Sequence, residues 1–152
     1  MRALLFVVLA LVPVACGRPP SLVWEGAGPP RETSVGGATA GLAAAGPAAR
    51  RGPWGDAAGE SLLLMESADA EEPHVHRRHD LTVVLLRGRG TLVVEGRRHD
   101  LHAGDVAHIA RGKVHAFAPS GRATALAIFT PRLDGPDSVP ASAMADAAAD
   151  AH

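Results

Sequence analysis

From residue 61 onward, short apolar runs alternate with breaks rich in glycine. SLLLMES (61–67), DLTVVLLRG (80–88), TLVVEGRRHDL (91–101), DVAHIA (105–110), HAFAP (115–119) and ATALAIFT (123–130) each have the length and β-branched or alternating character of a strand. DLTVVLLRG is apolar on both faces, as expected of a strand buried between two layers. Gly96 splits the third run into a hairpin, and Ala103-Gly104 marks the next turn. No segment keeps a helical period. The pattern predicts an all-β fold, a small antiparallel sandwich or barrel over 60–131.

The flanks read differently. Residues 16–59 are dominated by Gly, Ala and Pro and show little periodicity. Such a stretch buries too little apolar surface to offset its ordering entropy. It is expected to be a disordered linker, with Leu22, Val23 and Trp24 as a short docking segment. Residues 132–152 are expected to be a disordered tail. The remaining core is small enough that a metal or a homodimer partner would help stabilise it.

The chain opens with Arg2, an apolar run from Ala3 to Val14, and then small residues. That run is too short to span a bilayer, but it fits the charged and apolar regions of an export signal over 1–15. The only cysteine, Cys16, follows at once and has no internal disulfide partner. Val12 to Cys16 resembles the lipobox of bacterial lipoproteins, although Pro13 stands where that family usually has an aliphatic residue. The resemblance implies lipidation of Cys16 and a membrane-anchored protein of the bacterial envelope, in the periplasm or at the surface. The alternative is a secreted soluble protein. The linker would then act as a tether.

Net charge is −1, which does not suggest nucleic acid, and the lack of tyrosine argues against a base-stacking platform. Between His74 and Arg122, nine Lys/Arg face four Asp/Glu. This excess reads first as an arginine-rich surface and second as attraction for an anionic small molecule.

The histidines change the picture most. Seven of the eight lie between His74 and His115, where even scatter over 152 residues would put about two. In a strand, residues i and i+2 share a face about 6.6 Å apart. The rings of His74 and His76 can therefore reach one ion. Asp80 has the same parity, while His79 has the opposite one. His115, after the turn Arg111-Gly112-Lys113, is the expected partner from elsewhere in the fold. The candidate metal ligands are His74, His76, Asp80 and His115. The same parity predicts that Thr82, Val84 and Leu86 line the interior, with Phe117 beyond His115. His79 is expected beside a ligand or at the surface, and His99 and His102 in solvent. His108 is open between cavity and solvent.

These residues resemble the cupin superfamily. His74-Val75-His76 stands for its paired histidines and Gly88 or Gly90 for the glycine that closes its first motif. GDVAHIARGKVH, from Gly104 through Gly112 to His115, matches the second motif's spacing. Ala110 and Pro119 depart from the family's usual Pro and Asn. So does the carboxylate position. Either Asp80 serves with one extra residue before the glycine, or the site is three histidines plus solvent. The resemblance implies a small jelly-roll barrel holding one divalent transition metal: iron, manganese, zinc or nickel. Two functions stay open. One is an extracytoplasmic binding module for a small molecule or metal ion. The other is a metal-dependent enzyme, such as a dioxygenase or isomerase, acting on a small polar or anionic substrate. No residue outside the ligand set stands out as a general base.

Overall fold

The computed structural model describes residues 21–24, 31–44, 49–57 and 59–143. The export segment, Cys16 and the end of the tail lie outside them.

All six runs read from the sequence are strands. Their ranges are β5 (Glu60–Ser67), β7 (Asp80–Arg87), the hairpin β8 (Arg89–Val94) and β9 (Arg97–His102), β10 (Val106–Ile109), β11 (His115–Pro119) and β12 (Ala123–Thr130). Among the described residues there are seven further elements: β1 (Ser21–Trp24), β2 (Arg31–Ser34), α1 (Val35–Ala40), β3 (Ala43–Ala44), β4 (Ala49–Ala57), β6 (His74–His76) and β13 (Ser138–Pro140). One sheet runs β10-β7-β12-β5-β4-β3 and the other β13-β6-β11-β8-β9, with a separate β1-β2 ribbon. Every pairing is antiparallel.

The two large sheets share one apolar interior. Leu81, Ile109, Ala127 and Phe129 from the first sheet cluster with Leu92 from the second. The opposite face of the first sheet is covered by the segment expected to be linker. Leu22, Val35 and Trp54 pack with Leu64 in a second cluster, so the expected docking of Leu22 is observed. A fully buried leucine such as Leu64 or Leu85 contributes roughly 1.5–3 kcal/mol. β4 pairs along the length of β5, with its register shifting between Pro53 and Gly55. Proline is tolerated in sheets at such irregularities. Helix α1 starts at Ser34, whose hydroxyl accepts the Gly37 N–H at 3.1 Å.

Two glycines fit where the sheets turn. Gly88 has φ of +82°, and a Cβ there would stand 2.6 Å from the Arg122 carbonyl oxygen. At Gly90 a Cβ would meet both the Ala118 carbonyl and the Phe117 ring at 2.5 Å.

The expected parity of β7 is reversed. Leu81, Val83 and Leu85 face the interior, not Thr82, Val84 and Leu86. The chain bends at 77–79 between β6 and β7, so counting by twos from His76 does not carry into the next strand. A shift of one residue moves every side chain to the other face.

Candidate metal centre

β6 is only three residues long, and its position is fixed from both sides. β11 pairs with it at His115↔His74, and β13 pairs at Ser138↔His76, Val139↔Val75 and Pro140↔His74. The N–H of Gly112 donates to the His76 carbonyl at 2.7 Å. The glycine of the second motif thus ties the turn before His115 to the paired histidines.

This pairing brings three rings together. Their centroids are 5.1 Å apart for His74 and His76, 4.4 Å for His74 and His115, and 5.3 Å for His76 and His115. One ring nitrogen from each lies within 4.8 Å of the others. Two nitrogens bonded to one ion at roughly 2.1 Å stand no more than about 4.2 Å apart, so small ring rotations close the set. Nδ1 of His74 donates to the Glu72 carbonyl at 2.9 Å, and Nδ1 of His115 donates to the Lys113 carbonyl at 2.9 Å. Both rings therefore turn a bare Nε2 away from the backbone.

Two of the nitrogens are buried without a hydrogen-bond partner, His76 Nδ1 and His115 Nε2. Leaving such an atom unpaired costs about 1–3 kcal/mol. Burial pushes the His76 pKa down to about 4, with the neighbouring His74 and His115 adding to the effect. Burial lowers His115 as well, with the Lys113 carbonyl opposing and His74 reinforcing. Neutral imidazoles with bare, buried lone pairs are the donor set that a transition metal takes. The residues present fit such an ion.

Asp80 is not among them. Its carboxylate accepts the Arg111 N–H at 2.8 Å and the Arg111 guanidinium at 3.1 Å through each oxygen. Arg111 holds it well below the usual carboxylate range. The bend that reversed β7 also turned Asp80 outward. Its neighbour in parity, Thr82, bonds the exposed His108 ring at 3.0 Å. His99 and His102 are exposed, as expected.

His79 is buried beside the site. Its Nδ1 lies 2.6 Å from Asp137 Oδ2. Asp137 also accepts the backbone N–H groups of Arg77, Arg78 and His79 at 3.3, 3.0 and 3.2 Å. Burial pushes the Asp137 carboxyl up, but the bonds from His79 and Arg78 outweigh it and hold the group at about 2. The His76 ring is hydrogen-bonded to the Asp137 backbone. Asp137 therefore fixes the bend that follows the paired histidines. It lies in the expected disordered tail, and nothing in DGPDSVP marks it.

The histidines form part of the wall of a cavity of about 510 Å³ between the two sheets. Glu71, half-buried, also lines it; one of its oxygens accepts the Phe117 N–H at 3.1 Å. Burial raises its pKa, against the pull of His74 and the Phe117 N–H. Sequence reasoning missed Glu71, although the acidic pair Glu71-Glu72, one proline ahead of His-x-His, was the available signal.

Residues 61–130 match the family model described as "Cupin domain". That segment is a cupin domain. An uncharacterized protein of Aquifex aeolicus is 45% identical to the chain over 80 residues, which span 52% of this chain and 66% of that protein. Among solved structures, KdgF from a Halomonas species aligns with a TM-score of 0.58 at 21% identity, covering 61% of this chain and 87% of its own. The polyketide cyclase RemF from Streptomyces resistomycificus aligns with a TM-score of 0.54 at 21% identity, covering 62% and 72%. At those identities the likeness is one of fold. The cupin domain thus has the jelly-roll architecture that the motif spacing implies. Its possible metal site consists of three histidines, with no carboxylate in the group among the described residues.

Proposed function

We propose that this protein is a cupin that holds one divalent transition metal on His74, His76 and His115 and lodges a small molecule against it, outside the cytoplasm. The observation that carries the reading is the pair of buried, unpartnered nitrogens, His76 Nδ1 and His115 Nε2, on rings that belong to one three-histidine cluster. A lipid anchor at Cys16 rests on the lipobox-like stretch alone. The donor set is compatible with zinc, iron, manganese or nickel.

Elemental analysis of protein purified from its own host tests the centre. About one metal per chain is expected, with His76→Ala and His115→Ala each bringing it below a third. Unmodified protein below a third would reject the site. Cys16→Ala should move the protein from the membrane fraction to the soluble fraction; unchanged partition would reject the anchor.

A second reading is a metal-dependent enzyme, and Glu71 favours it. A half-buried carboxyl group whose pKa burial raises, in the same wall as the histidines, is placed to take or give a proton. Iron-loaded protein that consumes oxygen with catechols, thiols or keto acids, and loses that activity in Glu71→Gln with its metal content intact, would establish it. Equal activity in the variant would leave Glu71 without that role.

A further inference from the structure

The cavity itself says what it can hold. Three alanines, Ala123, Ala125 and Ala127, occupy successive interior positions of the central strand β12, and this run of small side chains helps open the space. Around it stand Leu81, Leu85, Leu92, Phe117 and Phe129. At about 510 Å³ it lies within the range of small-molecule sites. From β6 and β11 the polar side chains of the wall are the three histidines, two of them carrying the unpartnered nitrogens; from β5 comes the buried Glu66, whose carboxylate is already paired with the Arg122 guanidinium at 2.9 Å.

The rim is acidic. Asp69, Glu71 and Glu72 line it, and Arg51 is the single cationic side chain of the lining among the described residues. The nine Lys/Arg between His74 and Arg122 are all exposed and none lines the cavity. The local basic excess therefore belongs to the outer surface. A histidine that binds a metal does so as neutral imidazole and brings no charge to offset that of a divalent ion, whereas the exposed carboxylates of Asp69 and Glu72 stand at the mouth of the same cavity.

We infer that the cavity accepts an uncharged, largely apolar molecule that presents one oxygen or nitrogen donor to the histidine cluster, and that it discriminates against carboxylates, sulfonates and phosphates. This rests on the reading of the cavity as the ligand site, and it replaces the anionic substrate that the sequence charge suggested. Burying an apolar body in such a wall is favourable in proportion to its area, whereas an anion must pass the acidic rim and lose its water.

A matched pair of fluorescent probes tests the inference on the full chain, metal-free and zinc-loaded. N-phenyl-1-naphthylamine is neutral, and 1-anilinonaphthalene-8-sulfonate has nearly the same shape with one negative charge. The neutral probe should bind at least ten-fold more tightly. Ala125→Phe, which puts a ring into the space, should weaken it at least ten-fold and identifies the binding that belongs to the cavity. Asp69→Lys with Glu72→Lys, two exposed positions, should tighten the sulfonate at least five-fold and leave the neutral probe unchanged. Cavity binding of the sulfonate equal to that of the neutral probe would overturn the inference. So would neutral-probe binding indifferent to a folded Ala125→Phe. If Ala125→Phe does not fold, the rim variant decides: an unchanged preference refutes the role of the rim. Zinc content measured on the same samples separates the two readings. Protein that takes no zinc yet discriminates between the probes loses the metal centre and keeps this inference. Protein that takes zinc but ignores the neutral probe does the reverse.

Discussion

Two buried histidine environments lie within a few residues of each other. At His79, every short contact is made: its ring meets the Asp137 carboxylate at 2.6 Å, and that carboxylate also takes three backbone N–H groups. His76 and His115 are buried as well, but a nitrogen on each ring has no partner. The same residue type, buried in both places, is a structural anchor in one and an unsaturated donor in the other. The difference lies in the carboxylate. A histidine with an acid beside it is satisfied by the protein, whereas one beside two other histidines needs something from outside.

Removing Asp137 should break the first environment most severely. Asp137→Ala leaves His79 and three amides without their acceptor, and a loss of about 3–5 kcal/mol is expected in urea denaturation. A loss under about 1 kcal/mol would show that the pair is not the anchor described. The wild-type contribution is present above the ordinary carboxylate pKa near 3.8 and lost as pH falls toward about 2.

Acid should act on the second environment in a higher window. The folded state lowers the His76 pKa from 6.5 to about 4, so the unfolded chain takes the proton first. Stability of metal-free protein is then full above about pH 6.5 and falls as pH drops to about 4. The slope is up to about 1.4 kcal/mol per pH unit for this group. His76→Leu should flatten that limb and leave neutral-pH stability equal or about 1 kcal/mol higher, since an unpaired polar atom is gone. An undiminished slope in the variant would assign the acid sensitivity elsewhere.

The smallest effect is expected at Asp80. Its ion pair with Arg111 is partly exposed, so Asp80→Ala should change stability by less than about 1 kcal/mol. Metal content should stay at the wild-type level, while His115→Ala empties the site. A large loss of metal in Asp80→Ala would return this carboxylate to the ligand set.

Much of the fold was legible because apolar runs and glycine breaks report strands directly. The three histidines were legible because their spacing joins two motifs. Asp80 was misplaced because parity holds only within one strand, and the bend at 77–79 leaves no mark in RRH. β4 was hidden because Gly52, Pro53 and Gly55 lack strand propensity; its order comes from pairing with β5. Asp137 was hidden for the same reason, since its role depends on residues about 60 positions earlier in the chain.

The likeness to the family ends at residue 130, yet β13 and Asp137 lie beyond it and border the paired histidines. A fragment trimmed to the matched segment would keep every ligand and lose the strand that holds two of them in line. The smallest piece worth expressing for work on the centre therefore runs at least through Ala141, whose N–H closes onto the Pro73 carbonyl at 2.9 Å.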